Sequence, residues 1–359
     1  MLQYITKKIC YSLLVLFGVV STIFFLFNVL PGDPATLILG QHSSREAAEA
    51  IHHELGTDRS LPVQYANYLN DLSPLSVHNF ENPEAINFLN PKKYSWRPLF
   101  KISAQSALVL KFPYLRRSYI SRREVSDIIS ETLPETAVLA FSAILLASLL
   151  GIFLGVITAV KKNTWLDKSI FILATVFGMS APSFFVGLIV AWLFGYKLMD
   201  YTGLHPSGSL YETDVWEGEK LQLKNLILPA ITLGVRPLSI VIQLTRSSLL
   251  DVLSQDFTRT AKAKGLSFSR IVFRHALKNA LNPVITAISG WLASLMAGAV
   301  FVEKIFNWKG IGYEVVEALG NNDLPVVMGA TLAFACIFVV INILVDVLYG
   351  IVDPRVRIS

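Results

Sequence analysis

Cysteine is nearly absent. Cys10 and Cys336 are the two in 359 residues, and both lie in apolar runs, so neither a disulfide framework nor a thiolate metal site can be built. Charge is scarce too: Asp, Glu, Lys and Arg make up 16% of the chain, where a soluble domain carries about 25%. No Gly-Lys dipeptide occurs, which excludes a Walker A loop, because that loop needs the lysine against nucleotide phosphates. GxSxG elbows, Cys/His nucleophile pairs and acidic pairs flanking a cleft are missing. The histidines (His42, His52, His53, His78, His205 and His275) are scattered without HExxH or comparable ligand spacing. Neither catalysis nor a metal or other cofactor is expected of this chain.

What remains is apolar. The hydrophobic class reaches 53% and the mean hydropathy +0.52, more than a soluble fold of this size can hide. An integral membrane protein follows. The net charge of +5 and pI near 9.1 do not point to nucleic acid, since no basic stretch is interleaved with aromatics as a stacking surface requires. Cations are instead expected on the cytoplasmic rim, beside anionic lipid.

A helix crossing hydrocarbon needs about 20 apolar residues. Six segments qualify: Ile9–Leu30, Thr136–Val160, Ser169–Gly195, Asn225–Leu250, Ala280–Phe301 and Pro325–Val352. The first follows Lys7 and Lys8, but its run exceeds that of a signal peptide and no small-x-small site follows, so it reads as a retained helix. Lys161, Lys162 and Lys168 join spans two and three. The connection Asp251–Lys278 holds Arg259, Lys262, Lys264, Arg270, Arg274 and Lys278 against Asp251 and Asp256, and Arg355 and Arg357 close the chain. The loops Tyr196–Lys224 and Glu303–Leu324 are net acidic. The positive-inside rule then places both termini in the cytoplasm.

Four regions result: an N-terminal span (1–30), an extracytoplasmic loop (31–133), a five-helix membrane domain (134–353) and a short cytoplasmic tail (354–359). In the loop, Ser43 and Glu46 have capping-box spacing, and Gly56 stops a helix through Ala47–Leu55. A second helix is expected over Val63–Leu72. Ser73–Tyr119, with prolines at 74, 83, 91, 98 and 113, is expected to be irregular and to serve docking or gating.

Gly151 and Gly155 form GxxxG, and Gly290, Ser294 and Gly298 extend a small-residue face. Such spacing lets backbones approach closely in lipid, as a sliding or dimerising surface or as static packing. Gly178, Pro182 and Gly187 are expected to interrupt the third span, and Pro229 and Pro237 the fourth. Arg236 lies halfway along the fourth and should face the interior. It is either a pathway group meeting anionic substrate ends or a structural partner of Asp346, which shares a face of span six with Asn342.

The segment Asp256–Ala280 reads DFTRTAKAKGLSFSRIVFRHALKNA. Phe257 and Ala261 share a face of one short helix, Gly265 can supply a left-handed stop, and Ser267 can cap the next piece. Ile271, Val272 and Leu277 give that piece an apolar side beneath a basic one. The unit is either an amphipathic helix on anionic lipid or a rigid knob docking into a cytoplasmic partner.

This segment resembles the coupling (EAA) loop of binding-protein-dependent ABC importers, in the dipeptide/oligopeptide/nickel permease family. Collinear matches accompany it: PGDP at Pro31–Pro34, LPETAVLA at Leu133–Ala140, SAPSFFVGL at Ser180–Leu188 and LILPAITLG at Leu226–Gly234. AGAVFVEKIFNWKGIGYEVVEAL at Ala297–Leu319 and NILVDVLYGIVDPRVR at Asn342–Arg357 complete the set. Pro31–Leu72 looks like the family's first outer loop, and Ser73–Tyr119 like an insertion.

The resemblance implies a MetI-like, type I importer permease fold in the inner membrane. It implies four kinds of neighbour: a second permease subunit, two cytoplasmic ATPases that hold the ATP, an extracytoplasmic binding protein, and lipid. The motif's glycine falls on Gly265, its alanine on Ala261 and its acidic residue on Arg259, with Phe257 on the same helix. Lys309 replaces a proline frequent in the family's outer turn. Peptide import is the expected function; nickel, glutathione or another small solute is the alternative within the fold, and a non-transporting receptor or scaffold the alternative outside it.

Overall fold

The computed structural model describes residues 2–29, 34–39, 44–80, 88–89, 93–103, 105–214 and 218–352. Helices α1 (Leu2–Val29), α2 (Pro34–Leu39), α3 (Arg45–Leu55) and α4 (Leu61–Leu72) precede strands β1 (Leu75–Asn79), β2 (Trp96–Lys101) and β3 (Ser106–Lys111). Then come α5 (Val125–Val160), α6 (Trp165–Ala174), α7 (Ser183–Val190), α8 (Met199–Thr202) and a hairpin of β4 (Tyr211–Asp214) and β5 (Gly218–Leu221). Next are α9 (Lys224–Leu253), α10 (Asp256–Ala263), α11 (Phe268–Arg270) and α12 (Leu277–Gly298). Helices α13 (Val300–Phe306), α14 (Ile311–Gly320) and α15 (Leu324–Val352) follow. π-Helical turns over Thr175–Ser180, Ala191–Lys197 and Ile271–Ala276 extend α6, α7 and α11.

Five helical stretches are long and apolar enough to cross a membrane: Thr6–Phe27, Val125–Val160, Lys224–Leu253, Phe268–Ala297 and Leu324–Asp346. The third expected span is instead a broken pair, Trp165–Ser180 and Ser183–Lys197, bent by 114°. Counting the pair as one span gives six. The cause is local: a residue before proline is driven out of the helical region, and Ala181, before Pro182, is extended at φ −78°, ψ 136°. Pro229 and Pro237, by contrast, do not interrupt α9, which runs unbroken through both with much of its length buried. The second span starts earlier than expected, at Val125, because Val125, Ile128 and Ile129 bury one helical face. On α5, Phe141, Leu145, Leu149 and Phe153 stay exposed at every fourth position, as a lipid-facing stripe would.

The chain forms two compact units, Met1–Glu131 with Glu317–Cys336, and Thr132–Val316 with Ile337–Ser359. In the first, Phe24 of α1 is buried against the rings of Tyr65 and Tyr68 on α4, at 5.1 and 5.4 Å between centroids. Met328 and Leu332 join this core. The cap of α3 is Ser44, whose hydroxyl accepts the Ala47 N–H; Ser43, the expected cap, lies outside the described residues. Gly56 ends α3 at φ +68°, as expected.

The described part of 73–119 is not wholly irregular. It carries an antiparallel sheet in the order β1-β3-β2, with Val77 opposite Leu108 and Arg97 opposite Leu110. With the small β4–β5 hairpin, it is a minor strand element in an all-α fold. Pro74 precedes β1 and Pro98 lies on the edge strand β2, beside a register shift before Phe100, where a missing N–H costs no internal ladder bond. The alternation was masked because polar residues point inward. Ser76, His78 and Lys111 are buried while Leu75, Val77 and Leu110 are exposed. Asp71 compensates: it receives hydrogen bonds from Lys93 Nζ at 2.8 Å and from the Tyr94 hydroxyl, and its carbonyl accepts Lys111 Nζ at 2.9 Å. Burial draws the Lys111 amine down to about 8 and pushes the Tyr94 phenol far up.

The second unit is organised about α9. Gly151 and Gly155 of α5 sit where a Cβ would strike Val241 and Thr245, so this GxxxG face packs closely on α9. Gly178 lies so near Ser239 that no side chain fits between them. The Ser239 hydroxyl donates to the carbonyl of Ala174, next to the π turn, at 2.8 Å.

Candidate coupling helix and intramembrane cleft

The helix α10 stands between two long apolar helices and is closed at both ends by its own sequence. At its start, buried Thr258 donates its hydroxyl to the carbonyls of Leu253 and Gln255, each at 2.7 Å. At its end the Gly265 N–H bonds the Lys262 carbonyl at 3.0 Å and the Leu266 N–H bonds the Ala261 carbonyl at 3.2 Å. This is the paired Schellman closure, and it requires a left-handed residue. Gly265 has φ +80°, as the sequence led us to expect. Phe257 is 38% exposed and Ala261 half-buried, while Arg259 is exposed and pairs with Asp256 at 3.5 Å. That pair is solvent-bathed and worth little. Ser267 begins the next piece with extended backbone, but its side chain makes no cap bond.

The second piece of the segment is not a separate surface helix. It runs through a π turn into α12, and Ile271, Val272 and Ala276 are buried. Val272 and Ala276 join Val156, Ala159, Leu249 and Val252 in one apolar cluster. Protein, not lipid, covers this apolar side. The only large apolar side chain that α10 itself presents is Phe257, on a helix rigidly joined to the membrane bundle.

A bidentate fork, which sequence reasoning missed, pins this end of the bundle. Arg246 of α9 donates from Nε and Nη2 to the two carboxylate oxygens of Asp167 at 2.8 and 2.9 Å. Asp167 also accepts the Asn163 N–H at 2.9 Å. The partners are 79 residues apart, so no local pattern announces them.

At the break between α6 and α7 an open cleft of about 100 Å³ is lined by Phe177, Ala181, Ser183, Thr232, Arg236 and Trp291, among others. Arg236 is exposed in it. The expected pairing with Asp346 does not form, and among the described residues Arg236 has no ion-pair or hydrogen-bond partner. Asn342 turns its amide back onto the Phe338 carbonyl of its own helix at 2.8 Å. The three intramembrane polar candidates are therefore not one constellation: only Arg236 lines the cleft.

A third assembly surrounds Glu303, wholly buried on α13. Its Oε1 accepts the Thr136 hydroxyl at 2.7 Å and its Oε2 the Tyr313 N–H at 2.9 Å, with the Gly312 N–H as a further donor. Thr136 in turn accepts the Ile311 N–H at 2.9 Å. A Cβ on Gly310 or Gly312 would press on the Glu303 carboxylate. Asn307, left-handed at φ +54°, ends α13, and buried Trp308 donates from Nε1 to the Glu135 carbonyl at 3.1 Å. Burial pushes the Glu303 carboxyl up to about 7 against the donors that hold it down. Among the described residues no three His, Cys, Asp or Glu side chains gather as a metal site requires.

Residues 151–358 match the model of the binding-protein-dependent transport system inner membrane component, and residues 1–82 match the N-terminal model of the same systems. The chain belongs to this permease family. A dipeptide transport system permease protein of Alkalihalophilus pseudofirmus is 32% identical over 377 residues, covering 99% of this chain and 100% of that protein. A glutathione transport system permease protein of Escherichia coli is 32% identical over 358 residues, covering 99% of each. A dipeptide permease of Haemophilus influenzae reaches 43% over 242 residues, 62% of this chain and 71% of its own. The methionine ABC transporter MetNI, in an inward-facing crystal form, matches with a TM-score of 0.50 at 16% identity, over 64% of this chain and 97% of that one. The permease has the type I importer fold over that region. It is an inner membrane component of a transport system that depends on a binding protein.

Proposed function

We propose that this permease is the translocating subunit of an ATP-driven importer of di- or oligopeptides handed over by an extracytoplasmic binding protein. Two ATPases below and a second permease beside it complete the machine, and both termini face the cytoplasm. The observation that carries the reading is α10: a short helix, stopped at a left-handed glycine and fixed to the bundle by buried neighbours, that offers Phe257 to a partner. When ATP draws the ATPases together, a rigid α10 transmits the movement and re-orients the long helices between inward- and outward-open states. The exposed Leu75, Val77, Phe100 and Leu110 of the β1-β3-β2 sheet are assigned to docking or gating.

The names of the relatives favour peptides in a broad sense, since dipeptide and glutathione permeases resemble the chain equally well. Uptake of a labelled peptide panel, including glutathione, in a strain deleted for this gene and complemented with it tests the assignment. Restored uptake of at least one free peptide supports it; complementation without any uptake rejects it in favour of a non-transporting role.

A further inference from the structure

We propose that the cleft at the α6–α7 break is an anion subsite for the carboxylate end of the translocated substrate, with Arg236 as its charge partner and Thr232 and the start of α7 as neutral donors. The inference rests on the peptide-import reading and adds a place of recognition inside the membrane domain.

Three observations converge on this cleft. The first is Arg236, a permanent cation at mid-span that is exposed into the cleft and unpaired among the described residues. An intramembrane arginine is expensive, and such residues face pathways or partners. The second is Thr232, one helical turn earlier on the same face of α9 and lining the same cleft. It is 2% exposed, and its hydroxyl has no hydrogen-bond partner. Thr175, Thr286 and Thr331 satisfy themselves on the carbonyl four residues back; Thr232 and Thr245 of α9 do not, and of these two only Thr232 lines the cleft. Its methyl is held near the site of Gly187.

The third is the broken backbone. Pro182 caps α7 with no side-chain acceptor, so the first N–H groups of α7, at Ser183 and Phe184, have no acceptor within the helix. The positive end of the helix dipole therefore opens where Ser183 lines the cleft. Half-helix starts aimed at anionic groups are a recurring way to hold a charged solute without a buried counter-ion. Guanidinium and carboxylate match in fork geometry, and Phe177 and Trp291 on the same walls offer apolar and aromatic surface to an adjoining side chain. A lipid phosphate shares the anion chemistry; the arms of the test separate the two.

The test uses the complete transporter, permease pair, ATPases and binding protein, in vesicles of defined lipid. Arg236→Gln should lower uptake of a free-acid peptide by at least about tenfold, with the ATPases still copurifying, and Arg236→Lys should recover part of it. Directly at the site, a Ser183→Cys complex is alkylated with and without millimolar peptide. The free-acid peptide should slow the reaction, its C-terminal amide should not, and Arg236→Gln should abolish the protection. Wild-type uptake in Arg236→Gln overturns the subsite. So does equal protection by acid and amide, the result expected if Arg236 serves a lipid phosphate. If the wild-type transporter moves no peptide at all, the peptide-import reading falls and takes this inference with it.

Discussion

Glu303→Ala is expected to be among the most destabilising single changes outside the spans. The carboxylate is wholly buried and satisfies the Thr136 hydroxyl and the backbone N–H groups of Gly312 and Tyr313. Truncation leaves three buried donors without an acceptor, each costing roughly 1–3 kcal/mol. Water cannot easily replace the carboxylate, because Gly310 and Gly312 close tightly on it. Thr136 remains partly anchored through Ile311, which reduces the loss, and a total of about 3–5 kcal/mol is expected. Glu303→Gln keeps the shape and one acceptor oxygen but turns an amide NH₂ toward a donor, so about half of that cost remains. Thermal unfolding of the purified complex, followed by the fraction that stays monodisperse, should fall by roughly 5–10 °C for the alanine variant. Hydrogen exchange should rise across residues 307–313. An alanine variant that unfolds within about 1 °C of wild type, with unchanged exchange there, would refute the reasoning.

Other outcomes follow from the same geometry. Gly178→Ala should cost about 1–3 kcal/mol by forcing α6 away from Ser239, and Ser239→Gly should restore much of the stability; additive losses in the double variant would contradict the close approach. The Glu303 carboxyl titrates near 7 in the folded chain against 4.5 unperturbed. Between those values the folded state holds a proton that the unfolded state has released, so stability should fall as pH rises from about 4.5 to about 7 and then level. A melting series in which Glu303→Gln keeps the same slope would remove Glu303 as the cause. With Cys10 and Cys336 replaced by serine, single cysteines at Ser209 and Asn321 should react with an impermeant thiol reagent from outside, and one at Ser267 should not; labelling of Ser267 in intact cells would reverse the orientation.

What could be read from the chain was whatever was encoded locally. The stop at Gly265, the end of α3 at Gly56 and the break at Pro182 each depend on neighbours within a few residues, and all three stand where the pattern put them. The β1-β3-β2 sheet escaped because its alternation is inverted, with Ser76, His78 and Lys111 inside and leucines outside; Asp71, some forty residues from Lys111, and the hydrogen bond between Ser76 and His78 support that arrangement. Pro229 and Pro237 looked like breaks, yet packing on several sides of α9 outweighs two lost backbone bonds. Long-range pairs were illegible for the same reason. Asp167 finds Arg246, and Thr136 finds Glu303 167 residues away, through topology alone. Arg236 stands out in the sequence as a cation within an apolar span, but its surroundings, Thr232 and the open start of α7, emerge only once the third span is seen to be broken.

Copurification of the ATPases and uptake in vesicles, measured together on Ala261→Glu and Gly265→Asp, test the central claim most directly. A Cβ at Gly265 would meet nothing within 4 Å, so the aspartate acts through its charge and the strain of a positive φ, about 1 kcal/mol. Gly265→Asn, which tolerates that conformation, separates the two. If α10 couples ATP hydrolysis to transport, Ala261→Glu and Gly265→Asp leave the permease inserted while uptake is lost, with the ATPases either released or hydrolysing ATP without transport; Gly265→Asn is milder. Normal copurification and normal uptake in both charged variants would contradict the account.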